Sequence, residues 1–456
     1  MAAEAPKFVV REITLHERPV KLRLPFRFGV VTLTECPQAF VRARIELADG
    51  RGAVGMAAEM MAPKWFDKDL ALTNEDNFEQ LRAALRIARG AYLSDGSPAT
   101  AFGHFERHHG ACLAEGARQG FNPLLASYGP AQVDRAVLDA LCRALGLSFY
   151  DAVRENVPGM AIGGFLATLQ PAGNIAARHT VGLVDAITQG DVKEPVGDGL
   201  PETLEDVVRA YGHRWFKLKV SGRIGADIER LQQISTVLDR IPDAYHVSLD
   251  GNEQYETVEQ VAELVEGIEA CPTLKRLWDS TLFIEQPITR KLALDTDLTR
   301  ADLGKPVIVD ESDGEMDSFV VARARGYAGI SSKTCKGFYK SLVNAHRCAQ
   351  WNREEGGTRY FMSAEDLTTQ AGLSVQQDLA LVNLLGIRHV ERNGHHYVNG
   401  MAALPRAEQQ AFLDAHPDLY ECSHGAVRLK IRHGQLAIGS LACPGFASAV
   451  HPDLNP

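Results

Sequence analysis

Long apolar runs are missing from this 456-residue chain, and no stretch approaches the length needed to cross a membrane. Basic runs are missing too: none exceeds two or three residues, and the formal net charge is −10. A nucleic acid would therefore meet a repulsive average field, which argues against nucleic-acid binding. Metal-type and disulfide-type cysteine spacing is also lacking. The eight cysteines (Cys36, Cys112, Cys142, Cys271, Cys335, Cys348, Cys422 and Cys443) are scattered, with no C-x-x-C pair and no histidine-rich partner segment. That excludes a zinc ribbon or disulfide framework and leaves reduced thiols in a cytoplasmic protein as the expectation. The first residues carry an acid, Glu4, and no apolar stretch, so no secretory signal is expected.

What is present is an ordinary globular balance, 45% hydrophobic and 23% charged, over a length that suits two domains or one barrel with additions. Residues from about 8 to 60 read as strands: Ala39 to Leu47 alternates, and Asp49-Gly50 turns the chain. Within them Leu24 to Pro37, rich in Gly, Thr and Phe, reads as a mobile loop, and Met60 to Asp67 as a second irregular stretch. Residues from about 76 to 150 read as helices; Val133 to Leu147 has helical apolar spacing, with Gly146 as its stop.

From about residue 178 short apolar runs alternate with helical stretches. The runs are Thr180–Val184, Trp215–Val220, Tyr245–Asp250, Leu282–Glu285, Val307–Asp310, Ala328–Lys333, Tyr360–Ser363 and Ile387–Glu391. Eight β–α steps predict an α/β fold with a (β/α)8-type TIM barrel. A doubly wound sheet competes, but it needs a glycine-rich phosphate turn after its first strand, and none is found. Leu429 to Phe446 reads as a hairpin rejoining the first domain. The expected division is an N-terminal α+β capping domain (1–155), the barrel (156–402) and a C-terminal return to the cap (403–456).

Barrel active sites form at the C-terminal ends of strands. Here Asp250, Glu285 and Asp310 end three consecutive strands. Converging carboxylates repel, and a divalent cation relieves that repulsion. Oxygen-only donors favour Mg²⁺, with Mn²⁺ as the alternative. Lys217 and Lys219 share one face of their strand, and two lysines inside a barrel need carboxylates or an anionic ligand. Crowding among cations lowers a lysine's pKa and suits it to act as a base. Lys333 is expected across the barrel mouth, with Lys336 a solvated neighbour. Together these parts suit removal of a proton beside a substrate carboxylate, with a cation stabilising the resulting enediolate.

The ordered set Lys217-Leu218-Lys219, Asp250-Gly251-Asn252, Glu285-Gln286-Pro287, Asp310-Glu311-Ser312 and Lys333 resembles the muconate-lactonizing-enzyme-like subgroup of the enolase superfamily, in the mandelate racemase/muconate lactonizing enzyme family. Ala136 to Leu141 and Gly434 to Phe446 resemble its helix leading into the barrel and its C-terminal return. The resemblance implies a (β/α)7β barrel and Mg²⁺ on Asp250, Glu285 and Asp310. It makes Lys219 and Lys333 the acid/bases on opposite faces, with Lys217 an electrostatic helper. It also implies that Asn252, Glu311 and Glu365 lie around the substrate, and that the two irregular stretches act as lids. One departure is Lys333-Thr334-Cys335-Lys336-Gly337, which has one glycine where the subgroup often has two and makes Lys336 the fallback base. The cluster Arg392-Asn393-Gly394-His395-His396-Tyr397 reads as a polar loop with solvated histidines.

The implied activity is a racemase or epimerase acting on a small-molecule carboxylate. Dehydration of an acid sugar or other hydroxy-carboxylate, or cycloisomerisation, stands as the alternative on the same scaffold. A Schiff-base aldolase and a non-catalytic metal-binding barrel are the more distant readings. A homo-oligomer is expected from the family habit.

Overall fold

The computed structural model describes residues 4–367 and 370–454. The chain opens with an antiparallel meander of β1 (Phe8–Phe28), β2 (Val31–Leu47) and β3 (Gly52–Met60). The Asp49-Gly50 turn joins the last two, with Gly50 at φ 84°. Three helices pack on this sheet: α1 (Asn74–Ser94), α2 (Ala101–Arg118) and α3 (Pro123–Leu145). Each starts at a side-chain cap (Thr73, Thr100 and Asn122), and α3 stops at Gly146 in the left-handed region, as its sequence predicts. Gly55 lets β3 lie directly on α3; a Cβ there would stand 2.2 Å from Ala136 O and Ala140 N.

The segment Leu24–Pro37 is not an irregular loop. Phe26 pairs with Leu33 and Phe28 with Val31, so β1 and β2 continue as a hairpin whose tip is Gly29-Val30. Phe26, Phe28, Val31 and Leu33 are buried while Arg27, Thr32 and Thr34 are exposed. That period-two pattern is a strand signal hidden by Gly and Thr content. The ladder breaks between Lys21 and Phe26, where the hairpin leaves the sheet.

Eight parallel strands follow: β4 (Asn174–Val181), β5 (Trp215–Lys219), β6 (His246–Asp250), β7 (Thr281–Glu285), β8 (Val307–Val309), β9 (Gly329–Ser332), β10 (Phe361–Ala364) and β11 (His389–Arg392). The ladder runs β11-β4-β5-β6-β7-β8-β9-β10 with a helical crossover in each of the seven connections, the (β/α)7β pattern expected. Between β10 and β11 there is no ladder. Interior side chains still span that seam: Arg178 of β4 reaches Ser363 and the Ala364 carbonyl on β10 and His389 on β11. The first strand starts earlier than its apolar run, because Asn174–Ala177 also pairs with neighbouring segments.

The hairpin in Leu429–Phe446 is Ile431–Arg432 with Gln435–Ala437, and its second strand pairs with β4, not with the N-terminal sheet. Only beyond it does the chain meet α3. Asp139 there accepts from Phe446 N (2.6 Å) and His451 Nε2 (2.9 Å), and Phe446 stacks on Phe149 at 3.9 Å. No described cysteine is in a disulfide; five of the eight are buried.

Asp134 of α3 is buried and accepts from the Tyr92 hydroxyl. Burial pushes its carboxyl up to about 8. Between about pH 4 and 8 the unfolded chain therefore releases a proton that the folded chain keeps, and stability falls as pH rises through that window. Asp134→Asn is expected to flatten this decline by about 1 kcal/mol per pH unit. Urea midpoints at pH 5, 6, 7 and 8 check it; parallel slopes for the two proteins would refute it.

Candidate active site

The strand ends deliver their charged residues to one place. On β5, alternation turns Lys217 and Lys219 inward, and both are buried. Lys217 Nζ lies within 3.0 Å of five carboxylate oxygens from four strand ends: Asp250 Oδ2 (2.8 Å), Glu285 Oε1 and Oε2 (2.9 and 2.8 Å), Glu365 Oε2 (2.7 Å) and Glu391 Oε2 (3.0 Å). An ammonium has three hydrogens to give, so the cluster is oversubscribed. Glu285 Oε2 shows this directly, because it sits beside the amine without a hydrogen-bonding alignment.

Lys219 donates to Asp250. Lys333, just beyond β9, donates to Asp310 and lies 4.3 Å from the centre of the Trp65 ring. Lys336 is not solvated. It is buried beneath Asp310, donating to Ser331 Oγ at 2.8 Å and Asp310 Oδ1 at 3.2 Å, because Thr334–Lys336 forms a single 3-10 turn that folds it back under the strand end. Asn252 donates to Glu311 Oε1 (3.0 Å), leaving Asn252 Oδ1 and Glu311 Oε2 buried without partners. Gly251 is required in this turn, since a Cβ would meet Pro287 Cα at 2.6 Å.

These contacts set the charges. For Lys217, burial opposes the charged form, but Asp250, Glu285, Glu365 and Glu391 outweigh it and hold the amine well above the ordinary lysine value. For Lys333, burial is likewise overcome, chiefly by Asp310, and the amine is raised. The expectation that cation crowding lowers these lysines is therefore reversed for Lys217 and Lys333, because each meets carboxylates before it meets another amine. Against burial, Lys217 and Lys219 depress Asp250, and Lys333 and Lys336 depress Asp310. Glu285 is pushed well above the carboxylate range by burial and by Asp250 and Glu365. Burial and Asp310 lift Glu311 to about 7.

Lys217 Nζ bridges Asp250 and Glu285 while Lys333 and Lys336 hold Asp310, and these three carboxylates do not bring one oxygen each to within 4.8 Å of one another. The donor set nonetheless fits a hard divalent cation. It is all oxygen, it lies at the ends of adjacent strands, and burial and neighbouring carboxylates push Glu285 and Glu311 above the carboxylate range, a penalty that a bound cation would relieve.

A narrow pocket with about 20 Å³ of free space adjoins these groups, room for roughly one water. Lys217, Lys219, Lys333, Asn252 and Glu391 form its polar wall. Phe26, Phe28 and Leu33 of the hairpin, with Trp65 and Leu367, form its apolar wall. Lys336 is not among the lining residues, so Lys333 is the sixth-strand amine that faces the cavity. Glu365 lies behind it, accepting from Lys217 and Arg178.

Sequence reasoning passed over three contributors. Glu391 ends the apolar run Ile387–Glu391 as Asp250 ends its own, and the same signal marks it near the end of β11. Arg178, inward on β4 and paired to Glu365, lies two residues before Thr180–Val184, the apolar run expected for this strand. Arg392, fully buried on Asp366 and Asp378, was read as part of a polar loop. The histidines of that cluster are not solvated either: His395 and His396 are buried against β4, because Gly394–Tyr397 forms a short helix that turns inward.

A family profile described as enolase C-terminal domain-like matches residues 199–452, more than half of the chain and all the strands from β5 to β11. Comparison with curated protein sequences finds no match. Among solved structures, muconate lactonizing enzyme from Mucobacterium smegmatis complexed with muconolactone is 20% identical, with a TM-score of 0.61 over 98% of this chain and 97% of that one. Dipeptide epimerase from Enterococcus faecalis V583, complexed with Mg and the dipeptide L-Leu-L-Tyr, is 14% identical with a TM-score of 0.61 over 96% and 99%. A racemase from Streptomyces coelicolor A3(2) with bound magnesium is 14% identical with a TM-score of 0.59 over 96% of each chain.

Proposed function

The chain belongs to the enolase C-terminal domain-like family, and from that premise we propose that it removes the proton beside the carboxylate of a small-molecule substrate and returns one to the opposite face, as a racemase or epimerase. One observation carries the reading. Lys219 on β5 and Lys333 after β9, four strands apart along the eight-stranded ladder, line the same pocket and are held by Asp250 and Asp310. The magnesium-bound racemase and epimerase among its structural relatives support the same chemistry.

Asp250, Glu285 and Asp310 are the residues that would hold Mg²⁺, or Mn²⁺ in its place. A cation there supplies positive charge against the two negative charges of a carboxylate deprotonated at its α-carbon. The protein's own groups do the rest. Asp310 keeps Lys333 protonated, so Lys333 Nζ is the proton donor of the resting state. Lys219 Nζ, on the other side, is the acceptor. Lys217 gathers the carboxylates of four strands and positions them without moving a proton. Asn252 Oδ1 is free to accept from a substrate hydroxyl or amide. Phe26, Phe28, Leu33 and Trp65 exclude water, and the hairpin tip and the segment 61–67 move aside to admit substrate, because the narrow pocket has room for only about one water.

Dehydration of a hydroxy-carboxylate or cycloisomerisation is the second reading. It is favoured by the firm hold of Asp310 on Lys333, which suits an amine acting as a fixed charge while Lys219 alone moves the proton. A library of chiral carboxylates incubated in D₂O with Mg²⁺ decides between them. Deuterium at the α-carbon with inverted configuration is the expected result, and a dehydrated or cyclised product would select the second reading. Exchange that survives EDTA, or covalent trapping by borohydride, would overturn both.

A further inference from the structure

Outside the barrel wall lies a second group of ligand-type side chains. His179 sits on β4 between Arg178 and Thr180, whose side chains reach into the barrel, so its own points outward to the helical layer. There it meets His213, which precedes β5, and His395 of the short helix after β11. All three are buried, and one nitrogen from each lies within 4.8 Å of the other two.

The hydrogen bonds say which nitrogen of His213 is free. His213 Nδ1 lies 2.9 Å from the Ala177 carbonyl, which can only accept, so Nδ1 carries the proton and Nε2 keeps its lone pair. That Nε2 is buried without any partner. This is the arrangement of a metal-ligating histidine, whose far nitrogen is anchored to a backbone carbonyl. His179 Nδ1 and His395 Nε2 stand 3.1 Å apart. Two nitrogens on one tetrahedral zinc ion, each about 2.0–2.1 Å from it, are separated by about 3.3 Å. The three ring centres are 5.0 to 5.5 Å apart, and Tyr211 closes the cluster edge-on against His213 and His395.

We propose that His179 Nδ1, His213 Nε2 and His395 Nε2 form a second metal site that binds one imidazole-preferring transition-metal ion, Zn²⁺, with a fourth position left open. Imidazole donors do not suit Mg²⁺, so this site and the carboxylate cluster select different ions. The ion ties the segment after β11 to β4 and the start of β5 beside the seam where the ladder is missing, and metal binding raises the melting temperature.

The test uses the full chain, stripped with EDTA, dialysed, and kept in excess Mg²⁺ so that the carboxylates are occupied. Co²⁺ is the probe. The expected result is one Co²⁺ per chain with the intense visible bands of a tetrahedral nitrogen-ligated ion, displaced by Zn²⁺. His213→Gln and His395→Gln are expected to weaken binding by about 100-fold or more, while Glu285→Gln keeps the bands. Should those histidine variants fail to fold, the wild-type spectrum still decides. No bound Co²⁺, or only the weak bands of an octahedral oxygen site, overturns the proposal and leaves a proton-sharing histidine cluster. Bands lost in Glu285→Gln but kept in the histidine variants overturn it too.

Discussion

Lys333→Ala is expected to lower the turnover number about 100- to 10,000-fold, the range that one positioned proton-transfer group contributes. The loss should be specific to direction. With Lys219 intact, the substrate enantiomer whose α-proton faces Lys219 still exchanges with D₂O, while conversion to the other enantiomer stops. Lys219→Ala should give the mirror result. The geometry behind this is the pair of amines lining one pocket from strands four apart, each held by a different carboxylate, Asp250 for Lys219 and Asp310 for Lys333. Steady-state kinetics and deuterium incorporation, read separately for each enantiomer, check it. Wild-type turnover in Lys333→Ala would remove Lys333 from the chemistry. Loss of exchange from both enantiomers in that variant would assign it an electrostatic role in a one-base reaction.

Lys217→Met should have the largest effect on stability. It leaves Asp250, Glu285, Glu365 and Glu391 buried together without their shared ammonium. Removing one partner of a buried ion pair costs about 3–5 kcal/mol, and four carboxylates depend on this one. Their repulsion raises their pKa values in the folded variant. The folded variant then holds protons that the unfolded chain gives up above about pH 4.5, so stability falls as pH rises. Mg²⁺ should restore part of the loss by taking over the charge. Urea midpoints at pH 6 and pH 8, with and without Mg²⁺, measure both effects. A loss below about 1 kcal/mol at pH 8 would show that Lys217 does not organise the cluster.

Much of this architecture was legible beforehand because it is written in local periodicity. Short apolar runs placed β5 to β11 within a few residues of their observed bounds, and the ordered charges at or near the ends of several of them identified the family. Helix limits were legible where a cap marks them, as at Gly146. The hairpin Phe26–Leu33 was missed because its glycine and threonine content concealed a period-two pattern whose buried face is supplied by the barrel, far along the chain.

By itself the amino-acid sequence determined the alternation of strands and helices and the residue types at the strand ends, since these depend on contacts within a few residues; the (β/α)7β scheme came from the family resemblance those residues carry. Only the tertiary structure decided which charges meet. Lys217 serves four carboxylates, Lys336 lies beneath Asp310 and not in solvent, and His179, His213 and His395 share one buried spot outside the wall. The physical reason is that a pKa, an ion pair or a ligand set depends on distances between separate strand ends, some more than 100 residues apart along the chain, and those distances exist only once the strands have assembled.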